Sequence, residues 1–254
     1  MPANEHTNEG ASGGHALRVR ITHGLIACAV LVLAFSGYVI LMAHPRLYWG
    51  KAGNDLMPAL IELPISHNHQ PEHYGAAVVW REGATPIVSA ARNYPIFNQN
   101  GWARSLHFLA AWVLVTSLIA YLVAGGASGH LRRDLLPRLA ELAPANIRRD
   151  IRAHLEHRVP GHVGPPYNLL QKLSYAFVAL LALPLMLLTG LTMSPAVTAA
   201  WPWLLDLFGG SQSARTIHFF TFALLLLFLI AHVAMVAATG FARQLKAMTL
   251  GGKP

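Results

Sequence analysis

Charged side chains along this chain leave four long gaps. No Asp, Glu, Lys or Arg occurs within residues 21–45, 105–131, 173–205 or 216–242. Each gap exceeds the roughly 20 apolar residues that a helix needs to cross a bilayer. Four such stretches in one short chain argue against soluble helices buried on all sides. The pattern predicts an all-α integral membrane protein, a four-helix bundle whose connections alternate between the two sides.

Composition agrees with lipid as the solvent. The chain has 254 residues, 54% hydrophobic and 12% charged, against about 25% charged in a typical soluble domain. The formal net charge of +8 would suit nucleic acid or anionic lipid, and its distribution favours lipid. Arg132, Arg133, Arg138, Arg148, Arg149, Arg152 and Arg158 crowd the middle connection. Arg18, Arg20, Lys172, Arg243, Lys246 and Lys253 join them on the same side of a four-span topology. By the positive-inside rule both termini and the middle loop are then cytoplasmic. The basic excess is a topology signal, and no nucleic acid is needed to explain it.

Residues 1–15 read as a disordered polar tail, and 16–250 as a single transmembrane domain. Its periplasmic loop runs over 46–104 and its cytoplasmic loop over 130–166. The periplasmic loop is too long for a turn, and Tyr48, Trp49, Trp80, Tyr94 and Phe97 give it the aromatic content of an ordered cap. Leu135, Leu136, Leu139 and Leu142 suit either a short helix on the membrane surface or a solvated connector. The lone cysteine, Cys28, excludes an intrachain disulfide framework, a Cys-ligated cluster and covalent c-type haem attachment.

Four histidines fall inside the spans: His23, His107, His218 and His232. His44 and His130, at the trailing ends of their gaps, read as interfacial. Ionisable groups within a span are expensive and usually face the bundle interior. His218 and His232 are 14 residues apart, about 21 Å along a helix and within about 40° of the same face. One helix therefore presents imidazoles at two depths, the arrangement that two stacked b-type haems require. His107 and His218 each lie three residues into their gaps and match as ligands of an outer haem. His23 and His232 would share an inner haem, although His232 looks about 10 Å deeper than His23. The two pairs lie too far apart to share one zinc or copper ion.

Gly24 and Gly37 beside these positions would admit a macrocycle, or equally serve tight helix packing. Arg104 and Arg215, next to the outer histidines, would either pair with haem propionates or snorkel to the interface.

These residues resemble the bacterial cytochrome b561 and nickel-hydrogenase cytochrome b superfamily, which includes the membrane subunits of formate dehydrogenase and thiosulfate reductase. The resemblance rests on Arg18-x-Arg20-x-x-His23, His107, and His218 with His232, and covers essentially the chain after its tail. It implies the same ligand pairing, and His44-Pro45-Arg46-Leu47-Tyr48-Trp49-Gly50 is most like a subgroup serving periplasmic molybdopterin oxidoreductases. Tyr167-Asn168-x-x-Gln171-Lys172 resembles the family's quinone-binding approach, where Asn168, Gln171 and Lys172 would donate to a quinone oxygen. The same stretch also suits an interfacial helix start.

The expected function is that of a dihaem cytochrome b subunit passing electrons between a quinone and a periplasmic redox partner. With no nucleotide fingerprint, a separate catalytic subunit is implied. The alternatives are a self-sufficient superoxide:quinone oxidoreductase, or a haem-free metal-handling transporter using His67, His69 and His73. Pro71 works against aligning those three histidines on a helix.

Overall fold

The computed structural model describes residues 17–54, 57–63, 100–129, 131–155 and 168–251. The N-terminal tail, His67, His69, His73, Trp80, Tyr94, Phe97, His130, Arg158 and Tyr167 lie outside these residues.

Among the described residues, four helices are long and apolar enough to cross a membrane: Leu17–Ala43, Asn100–Ala127, Leu169–Thr192 and Ser211–Ala238. They form a membrane-embedded helical bundle. The first span packs along the second and the third along the fourth, giving two helical hairpins. Between the hairpins lies a small apolar core at mid-depth. Ala29, Leu114, Leu118 and Leu183 are buried there, with Leu225 of the fourth span packed against them. Most other apolar side chains face outward, and only 6% of the fourth span's most hydrophobic window is buried within the protein. That distribution is stable only in lipid, where an exposed Leu costs nothing.

The third charge-free gap is longer than its helix. The span ends at Thr192, and Pro195–Ala200 and Trp203–Phe208 follow as two short helices. Pro195 and Pro202 explain the break, because each lacks an N–H and pushes the residue before it away from helical geometry. Pro184 inside the span is accommodated differently. A π-helical turn at Val178–Ala182 precedes it, closed by the Leu183 N–H donating to the Val178 carbonyl. This widened turn relieves the clash a proline ring makes with the preceding turn and re-aims the segment beyond it.

The middle connection carries its helix later than its leucines indicate. Leu131–Leu135 is a π turn and Leu139–Leu142 a 3-10 turn, with Pro137 between them; the α-helix is Pro144–Leu155. Leu135 is buried while Leu139 is 89% exposed, so the four leucines do not share one face.

At the opposite end of the bundle, the chain leaving the first span forms a cap. Arg46–Leu47 pairs antiparallel with Ile61–Glu62, and Arg46 Nε meets Glu62 Oε1 at 3.0 Å with both side chains largely buried. The cap is fastened to the start of the fourth span. Arg215 donates to the His44 carbonyl, and Thr216 Oγ1 to the Tyr48 carbonyl at 2.6 Å. The Gly50 N–H donates to Ser213 Oγ at 2.7 Å, and the Gly50 carbonyl accepts from the Gln212 and Ser213 N–H groups. Those two N–H groups belong to the first turn of a helix, which has no partners of its own. The cap therefore acts as a backbone N-cap for the fourth span.

Candidate haem-binding site

The structure brings the four span histidines together as two pairs. His107 and His218 have ring centroids 6.3 Å apart, with planes at 56°. His23 and His232 also lie 6.3 Å apart, at 48°. Helix boundaries account for the matched depths. His107 is seven residues after Asn100 and His218 seven after Ser211, while His23 is six after Leu17 and His232 six before Ala238. The 10 Å mismatch expected for the second pair disappears for a simple reason. Arg18 and Arg20 lie inside the first turns of the first helix, and the fourth helix stops at Ala238 before its charge-free gap ends. Charges marked the gaps, but helix ends set the depths.

The spacing within each pair fits one metal between two imidazoles. Imidazole nitrogens bind first-row metals at about 2.0–2.1 Å, and a ring nitrogen lies about 1.1 Å from its centroid, so two rings sharing an ion stand about 6.3 Å apart. Among the described residues no cluster of three or more His, Cys, Asp or Glu side chains could hold a metal ion. Two-histidine sites with no further protein donor suit a metal whose other ligands come with its own macrocycle.

The donors around the first pair show which ring nitrogen is available. Ser36 Oγ lies 3.0 Å from His107 Nδ1 and 2.7 Å from the Val32 carbonyl. Thr189 Oγ1 lies 2.9 Å from His218 Nδ1 and 2.7 Å from the Leu185 carbonyl. A hydroxyl has one proton, and a carbonyl only accepts, so each hydroxyl donates to its carbonyl and accepts from Nδ1–H. Nε2 of each ring keeps its lone pair. Gly37 and Gly190 sit under the same rings; a Cβ at each would come within 3.3 Å of His107 Cε1 and 3.6 Å of His218 Cε1. Gly24 has no such neighbour. At the second pair, Phe228 stacks on His232 at 5.8 Å and Tyr175 meets its edge at 6.2 Å.

Ser36, Thr189, Gly190, Tyr175 and Phe228 are the residues that reasoning from sequence missed. Phe228 was within reach, since it stands four residues before His232 on the same helix face. Ser36 and Thr189 lie on other helices than their histidines, and only the repeated Ser/Thr-Gly pair hinted at them. A further regularity is Arg-x-x-His, at Arg20, Arg104 and Arg215. Arg104 is exposed, Arg215 holds the cap through His44, and Arg20 donates to the Thr249 carbonyl while its buried Nε has no hydrogen-bond partner.

The expected quinone residues lie at the basic end of the third span; Asn168 and Lys172, but not Gln171, line a cleft of about 220 Å³ together with Glu141, Asn146, Arg149, Asp150 and Leu169. Much of their polarity is already in use. Lys172 Nζ donates to both Glu141 oxygens at 3.0 Å, and the Asn168 N–H donates to Gln171 Oε1 at 3.1 Å. Asp150 Oδ2 accepts the Leu170 N–H at 2.8 Å, capping the helix start. The Lys172 hydrogen bond holds the Glu141 carboxyl below the usual carboxylate range.

Two facing pairs of histidines at two depths of a four-span membrane bundle define a protein of the membrane cytochrome class. Comparison with known proteins agrees: the prokaryotic cytochrome b561 family matches residues 14–251, and the chain belongs to that family. It is therefore a membrane haem protein of the b type, working in electron transport. It is 28% identical over 223 residues to a protein of Azospira oryzae described as a putative protein-methionine-sulfoxide reductase subunit, YedZ1. The alignment covers 88% of this chain and 89% of that relative. No solved structure matches the chain significantly.

Proposed function

We propose that this chain is a dihaem electron conduit, the membrane subunit of a quinone-linked oxidoreductase. The observation that carries the reading is the pair of 6.3 Å histidine separations, each the width of one bis-imidazole iron site. His107 and His218 hold the outer haem, and His23 and His232 the inner one. Haem iron between two imidazoles supplies reversible one-electron transfer with no change of ligands. The protein's own residues do the rest. His218, Leu225 and His232 recur every seven residues on one helix face, so Leu225 fills the layer between the two levels. That apolar layer excludes water from the electron's path. Arg104 and Arg215, three residues before the outer histidines, are the cations available to haem propionates there.

Both termini and the basic end are cytoplasmic in this reading, and the cap faces the periplasm of a bacterial inner membrane. The cleft lined by Asn168 and Lys172, with Gln171 next to Lys172 in the chain, is the quinone approach in this reading, where these side chains would donate to an oxygen gaining charge. His107 and His218, at the cap end, would hold the haem nearer a separate periplasmic catalytic subunit of the molybdopterin oxidoreductase kind, the redox partner in this reading. The description of the Azospira relative makes reduction of oxidised methionine in proteins the first partner activity to assay. That reaction consumes two electrons and two protons and releases water.

Purification in detergent, redox difference spectra and a pyridine haemochrome assay test the reading. Two b haems per chain are expected, with His107→Ala and His23→Ala each removing a different one. One haem per chain, or a variant pair that removes the same haem, overturns the assignment.

A further inference from the structure

We propose that Ser36 and Thr189 are a matched pair of positioning residues for the His107–His218 centre, each aiming the Nε2 of its histidine at the shared iron. The inference rests on the dihaem reading and adds a role for residues outside the ligand set. Both side chains are fully buried, at 0% exposure. Each belongs to the hairpin partner of the helix carrying its histidine: Ser36 on the first span faces His107 on the second, and Thr189 on the third faces His218 on the fourth.

Each also repeats the same local design. The hydroxyl donates to the carbonyl four residues back, which fixes its rotamer and turns its lone pairs toward the ring. The following glycine leaves room for the ring's Cε1. Two half-sites built alike in different hairpins, their hydroxyls 153 positions apart in the chain, are not required by helix packing alone. A hydroxyl that served only its own helix would need no histidine nitrogen at 3 Å.

The chemical consequence follows from the direction of the bond. Nδ1–H donating to an acceptor holds the ring in one tautomer and raises the basicity of Nε2. A more basic ligand favours ferric iron and lowers the reduction potential. Loss of a hydroxyl therefore weakens the ring as a donor to iron while leaving the ligand itself in place. The readout is therefore the potential of one haem, rather than the presence of both.

Wild type, Ser36→Ala, Thr189→Val and Thr189→Ser are purified and titrated spectroelectrochemically, with low-spin ferric signals recorded by electron paramagnetic resonance. Ser36→Ala and Thr189→Val should each raise the potential of the haem that His107→Ala removes, shift its low-spin signal and loosen it about 10-fold. The other haem should keep its wild-type potential in the same sample, which shows that the bundle is intact. Thr189→Ser, which retains the hydroxyl, should restore the wild-type potential. Unchanged potential and signal in both Ser36→Ala and Thr189→Val overturns the proposal, as does a Thr189→Ser variant that behaves like Thr189→Val. If His107→Ala removes no haem at all, the dihaem reading fails, and with it this proposal. The two positions lie on different spans, so a folding failure at one leaves the other to decide.

Discussion

Replacing Gly210 by alanine should detach the cap from the fourth span. Gly210 sits at φ +125°, ψ 167°, a region that essentially only glycine occupies, with a cost of about 1–3 kcal/mol for any other residue. Strain is only part of the effect. A Cβ at Gly210 would collide with the Gly50 carbonyl, lying 2.6 Å from its carbon and 2.7 Å from Lys51 Cα. These are backbone atoms, which no rotamer change can move. Relief requires the Gly50 segment to back away, and that segment makes the bonds to Gln212, Ser213 and Thr216. Each is worth about 0.5–1.5 kcal/mol net, so loss of several brings the total to about 3–6 kcal/mol. Thermal unfolding of the haem-loaded protein in detergent, followed by the haem absorbance band, measures it. Gly126→Ala is the control, because nothing lies within 4 Å of a Cβ there. It should be neutral, or stabilising by up to about 1 kcal/mol. Gly210→Ala should melt well below wild type and release the His107–His218 haem first, since His218 is two turns from the disturbed cap. A melting temperature equal to that of the Gly126→Ala control would show that the Gly50 contacts do not hold the cap to the fourth span.

Other perturbations follow from the same geometry. Gly37→Val should displace the His107 ring, because even a Cβ meets Cε1 at 3.3 Å; outer haem occupancy should fall while inner haem remains, and equal loss of both would contradict it. Glu141→Gln removes the anion facing the buried Lys172 amine and should lower stability at neutral pH. The folded carboxyl titrates below its unfolded value, so the wild-type advantage is full above the ordinary carboxylate range. It is lost as pH falls through the depressed folded value. Melting curves of both proteins from about pH 8 down to about pH 3 should show a constant gap that closes only at the acid end; a gap that closes near neutrality would show that the pair is not the cause.

Much of the fold was legible because lipid imposes a simple rule. Any helix that crosses a bilayer must satisfy its backbone internally and keep charge out, so charge-free runs locate spans without knowledge of packing. The third span shows where that rule ends. Residues 193–205 are apolar and uncharged, yet Pro195 and Pro202 break them into short helices. Gap length overstates span length there, because local backbone chemistry decides where a helix stops. The quinone-approach residues mark a second boundary. Asn168, Gln171 and Lys172 are expected to donate to a quinone, and the structure adds partners of their own: Glu141 from the middle connection accepts from Lys172, and Gln171 Oε1 accepts the Asn168 N–H. Side-chain partners 31 residues away have no signature in a local pattern.

The four spans, the basic end and the 14-residue repeat of histidines on one face can be read from residue order alone, because helical periodicity and the cost of charge in lipid act locally. What meets each histidine was set by the assembled bundle. Helix ends at Leu17 and Ala238 brought His23 level with His232, and packing within each hairpin set Ser36 against His107 and Thr189 against His218. It also placed the Gly50 backbone over the first turn of the fourth span. These contacts depend on how one helix is rotated and shifted against another, and that is settled by the fit of many side chains together.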